Sequence, residues 1–93
     1  MKKAYLIAYS VWSLEQMTSC LNSLSLIEKW RYDMPNAFYV ISMANSNQIS
    51  NAIREKLGTT GRFIVTEISV NNSQGWLTPG SWYLINNKEY LKE

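Results

Sequence analysis

Histidine is absent from this sequence, cysteine occurs once, as Cys20, and aspartate once, as Asp33. Without histidine and with one thiol, a single chain supplies neither a structural zinc site nor a Cys-His or Ser-His catalytic pair. It also forms no disulfide of its own. Charge is sparse, at 17% of residues against about 25% in an ordinary globular protein, with Asn and Ser filling the gap. The net charge is +2. Cations come together only at Lys2-Lys3, at Lys29 with Arg31, and at Arg54 with Lys56, which is not the dense basic stripe of a dedicated DNA clamp. No apolar run approaches the roughly 20 residues that span a bilayer. The opening Lys2-Lys3 is followed by only a short apolar run with no small-residue cleavage site after it, unlike a signal peptide. The expectation is a cytoplasmic protein with no membrane association.

What the chain does have is core material: 46% hydrophobic and 13% aromatic residues, enough to argue against disorder. The length predicts one domain, residues 1–93. Lys3–Tyr9 reads as a strand that is apolar at nearly every position. Ser13-Leu14-Glu15-Gln16 is a capping-box pattern, and Leu14, Met17, Leu21 and Leu24 then recur at helical spacing, with Cys20 beside that stripe as a small buried thiol. Residues 27–33 (IEKWRYD) alternate, 33–36 (DMPN) carry turn chemistry, and 37–43 (AFYVISM) form a second apolar run; together they predict a hairpin. Asn45, Ser46 and Asn47 offer helix caps, Ile49, Ile53 and Leu57 make a narrow apolar stripe, and Gly58 stands where a helix ends. Residues 62–70 alternate as a fourth strand. NNSQG at 71–75 is a loop, and Thr78 with Pro79 opens a short C-terminal helix or turn.

The order strand, helix, strand, strand, helix, strand is the split βαβ pattern of a ferredoxin-like α+β domain, here with a core at 1–70 and an appendage at 71–93. Right-handed crossovers place both helices on one face of a four-stranded antiparallel sheet, with the first and third strands central. Those two strands carry large apolar groups on both sides. The second face must therefore be covered by Trp76, Leu77, Trp82 and Leu84 of the appendage, by another copy of the chain, or by a ligand. Homodimerisation is the expected answer. Tyr5, Tyr9, Tyr39 and Phe63 lie in the strands and open a base-stacking alternative, as in RNA-recognition modules. Residues 36–43 (NAFYVISM), however, lack the basic residue and glycine of that motif. Trp76 and Trp82 are expected to lock the appendage over the sheet, with a clamp on a base or side chain as the other reading.

In order, KKAYLIAYSVW, NAFYVIS, SNQISNAIREKLG, GRFIVTEIS and GWLTPGSWYLIN resemble the small SinR-like proteins of bacteria and phages. These in turn look like the small ferredoxin-fold subunit of CRISPR spacer acquisition. The resemblance covers nearly the whole chain, and its most specific parts are the opening strand and the G-W-L-x-x-x-x-W pattern from Gly75 to Trp82. It implies a ferredoxin-like homodimer and, in some relatives, a metal-dependent phosphodiesterase whose Asp sits at the end of the first strand. Here that place reads Tyr9-Ser10, and a neutral hydroxyl is a weak ligand for Mg²⁺. Ser10 and Glu15 are the only catalytic candidates, under the alternative of a degenerate Mg²⁺-dependent nuclease; otherwise no metal or cofactor is expected. Binding candidates are Tyr9, Ser10, Trp12, Tyr39, Trp76 and Trp82. The leading expectation is a noncatalytic, dimeric protein of phage or mobile-element type that binds a protein or nucleic acid.

Overall fold

The computed structural model describes residues 1–69 and 75–87. Its elements are β1 (Lys3–Tyr9), α1 (Leu14–Ser23), β2 (Lys29–Met34), β3 (Ala37–Ser42), α2 (Ser46–Leu57), β4 (Phe63–Glu67) and α3 (Pro79–Asn86). The strands form one sheet in the order β2-β3-β1-β4 with every neighbour antiparallel. This is the expected ferredoxin-like α+β arrangement, with the first and third strands central. Of the appendage, α3 falls within the description, while most of the NNSQG loop and the final KEYLKE lie outside the described residues. Among the described residues no helix is long and apolar enough to cross a membrane.

Local chemistry sets the helix starts. Ser13 Oγ accepts the Gln16 N–H at 3.1 Å while Gln16 Oε1 accepts the Ser13 N–H at 2.9 Å, the reciprocal box expected from sequence. Asn45 and Gln48 repeat it at the start of α2. Gly58 ends α2 with φ of 79°, a left-handed value that side-chain-bearing residues rarely adopt. The buried stripe of α1 is Met17, Cys20 and Leu21, whereas Leu14 in the first turn is exposed. In the hairpin, Pro35 fixes the first central φ and Asn36 takes φ of 62°, a conformation Asn tolerates. β2 starts at Lys29, two residues later than the alternation suggests, because residues 24–27 close a turn through the Ile27 N–H on Leu24 C=O. Ser42 is fully buried at the end of β3, where its hydroxyl donates to Leu26 C=O and accepts from Ala44 N–H.

The sheet separates two cores. On one side Tyr5, Ile7, Phe38 and Val40 pack against Met17, Leu21, Ile49 and Ile53 of the two long helices. On the other side Ala4, Tyr39 and Ile41 lie under Ile85 of α3, flanked by Leu77, Trp82 and Leu84. The chain therefore covers part of its own second face. Trp76 is the exception: it is 97% exposed and covers nothing.

Polar contacts seat α3. Arg31 donates through Nε to the buried Ser81 Oγ at 2.8 Å and through Nη2 to Thr78 Oγ1 at 3.3 Å. The Thr78 N–H donates to Asp33 Oδ2 at 3.2 Å, placing a carboxylate at the positive end of the helix. Gly80 lies against the same guanidinium, 2.7 Å from Arg31 Cζ to where a Cβ would stand. Charge-assisted hydrogen bonds contribute about 1.5–3 kcal/mol each. Arg31→Met should therefore destabilise the fold by about 2 kcal/mol in urea unfolding, and should speed amide exchange in α3 more than in β1 or β3.

Candidate functional site

The tip of β1 is a structural junction. The Ser10 N–H donates to Arg62 C=O at 2.9 Å, and Ser10 Oγ accepts the Arg62 N–H at 2.9 Å. The hydroxyl extends the β1–β4 ladder by one rung. Trp12 is buried with its indole flat over Gly61, where a Cβ would stand only 2.7 Å from Cε2. Its ring centroid lies 5.6 Å from that of Phe63, and the Arg54 guanidinium lies 5.8 Å from the Phe63 ring centroid. Glu15 is exposed in the first turn of α1, where an acid suits the helix dipole. Among the described residues no three His, Cys, Asp or Glu side chains gather as a metal site. A committed neutral hydroxyl and one solvent-facing carboxylate do not fit a hard divalent cation, which requires several anionic oxygens.

The aromatic candidates divide between the two cores. Tyr5 and Tyr9 lie beneath the long helices, with Tyr5 OH donating to Ala44 C=O at 2.6 Å and the Tyr9 ring tilted against Phe38 at 5.9 Å. Tyr39 lies under α3. Burial raises all three phenol pKa values, with lesser contributions from Glu67, Tyr32 and Asp33 respectively. Burial likewise raises the Cys20 thiol, with Lys56 opposing it weakly, so the thiolate nucleophile is suppressed. Trp82 packs in the α3 cluster while Trp76 stands in solvent, so the two indoles occupy different environments.

The strand register shows what remains open. Three rows of side chains cross the second face. Lys29, Ile41 and Ala4 form one, and Arg31, Tyr39, Leu6 and Thr66 the next; α3 lies over these two. The third row is Met34, Ala37, Ala8 and Ile64, and none of its members belongs to the α3 cluster. Its ends are exposed, Met34 by 40% and Ile64 by 61%. Trp76 lies two residues before Thr78, within about 7 Å of it along the chain, and Thr78 is bonded to Asp33 beside Met34. Met34 reaches this face because the β2–β3 register shifts between Tyr32 and Met34; simple alternation would send it to the side of Trp30 and Tyr32. A separate groove of about 280 Å³ runs between the β2 edge and α3, lined by Lys29, Arg31, Tyr83 and Asn87 among others.

No family model matches the chain, and neither a curated protein nor a solved structure matches it.

The Trp12–Gly61 contact leaves no room for a methyl group. Gly61→Ala should cost about 1–3 kcal/mol through overpacking, measured as a lowered urea midpoint with unchanged slope. Ser10→Ala should cost about 1 kcal/mol, because it removes one acceptor from a backbone N–H.

Proposed function

We propose that this protein is a noncatalytic binding protein that acts as a homodimer and engages a protein partner through the open part of its second sheet face. The observation that carries this reading is the set of large apolar side chains left in solvent, Met34 and Ile64 at the two ends of the third row, whose inner member Ala37 is buried, and the indole of Trp76. Exposed large apolar groups in one region of a small domain mark an interaction surface rather than ordinary surface. Aromatics such as Trp76 are typical anchors of such surfaces. The β1 tip supports the noncatalytic side of the reading, since Ser10 is committed to the backbone of Arg62. A phage or mobile-element role follows from the SinR-like resemblance, as does kinship with the small CRISPR spacer-acquisition subunit, with the catalytic Asp of some relatives replaced by Ser10.

Protein is preferred over nucleic acid as the partner because the open row presents methionine and isoleucine, and the cations are dispersed over the surface. Phosphate-directed binding requires several cations placed together.

Trp76→Ala should leave stability within about 0.5 kcal/mol of wild type, as expected for an exposed side chain. Ile64→Lys, at a site exposed by 61%, should be similarly mild. Both substitutions should abolish retention of the partner in affinity purification from the source cells. Fluorescence anisotropy with labelled single-stranded RNA and duplex DNA should show no salt-sensitive binding tighter than about 100 µM. Tight salt-sensitive binding would replace the protein partner with a nucleic acid. Mg²⁺-dependent cleavage lost in Glu15→Gln or Ser10→Ala would restore the nuclease alternative.

A further inference from the structure

The two edges of the sheet are unequally protected. β2 is irregular at Asp33, carries Lys29 and Arg31, and has α3 alongside it; bulges and inserted charges are how native sheets discourage edge pairing. β4 has a continuous five-residue register with β1, and no strand lies outside it among the described residues.

The hydrogen-bond parity of β4 shows which groups face outward. The Ser10 N–H donates to Arg62 C=O and the Ile68 N–H donates to Ala4 C=O, so even-numbered residues of this segment bond to β1. In an antiparallel ladder the alternate residues point their N–H and C=O the other way. Phe63, Val65 and Glu67 therefore present their backbone groups to the free edge. These residues are symmetric about Val65.

We infer that β4 pairs antiparallel with β4 of a second copy, centred on Val65, so that two sheets join into one of eight strands. This rests on the homodimer reading and specifies its contact. A two-fold axis perpendicular to the sheet keeps side chains on matching faces, which requires opposed residues of equal parity. Centring on Val65 sets Phe63 opposite Glu67 of the second copy, and Glu67 opposite its Phe63. Directly opposed Cβ atoms lie about 5.5 Å apart or less. Arg54 stands over the Phe63 ring at 5.8 Å, and both Arg54 and Glu67 are exposed. The pairing thus brings the Glu67 carboxylate of one copy to the Arg54 guanidinium of the other, twice by symmetry. On the opposite face, exposed Ile64 meets Thr66 of the second copy.

The test is sedimentation equilibrium of wild type, Arg54→Glu, Glu67→Lys and the double variant, with circular dichroism to establish folding. Each single change turns two attractions into two repulsions and should weaken the dimer about tenfold; the double variant should recover to within about threefold of wild type. Hydrogen exchange on the wild type gives an independent measure: the Phe63, Val65 and Glu67 amides should gain protection as concentration rises. A wild-type dimer that both single variants leave intact, with no concentration-dependent protection at β4, would overturn the edge contact while leaving the homodimer standing. A wild type that remains monomeric at about 1 mM would overturn the homodimer and this contact together.

Discussion

The requirement that β1 and β3 be covered on both sides governs the rest of the molecule. β3 is buried at all six positions and β1 at four of seven, so a two-layer sandwich would leave one face of each central strand in water. The long helices satisfy one face with a conventional aliphatic and aromatic core. The other face depends on α3, a helix of eight residues with no charged side chain. A helix that short has little intrinsic stability. It is held because Arg31 and Asp33, on the partly exposed edge strand, reach its first turn. The division between covered and open surface is therefore set by a small polar cluster, and the open row begins where the reach of α3 ends.

Much of the architecture was legible because it rests on local signals. Two spacings, of three to four residues and of two, separate the helices from the strands, and the Ser13–Gln16 box is encoded within four positions. The ferredoxin-like order follows from element sequence and handedness. The shape of the second face was less accessible. Trp76 and Trp82 sit in one motif and look equivalent as residues, yet Trp82 lies on α3 and packs against the sheet while Trp76 precedes the helix and stands in solvent. The register shift at Asp33 reassigns Met34 to the other face, and no periodicity rule reveals a bulge in advance. Arg31, read as one of a few scattered cations, acquires its role from residues about fifty positions away.

The candidate residues fare differently when seen in place. Tyr9, Trp12 and Tyr39 are buried and act as packing groups. Ser10 is exposed, but its hydroxyl already serves a backbone donor. These residue types suit ligand contact equally well, so burial, which a single sequence encodes only indirectly, separates the two roles. Trp76 remains as the candidate that keeps its full side chain available, and Met34 and Ile64 join it as residues whose importance comes from register rather than type.

The close approach of Trp12 to Gly61 also shapes how this protein can change over time. The two positions lie on loops at opposite ends of the chain's first two-thirds, yet the indole occupies the volume that any larger residue at 61 would need. Substitutions there are coupled, as expected for residues in direct contact. A side chain at position 61 is accommodated at least cost when position 12 is smaller. A double-mutant cycle between the two positions would read that coupling directly.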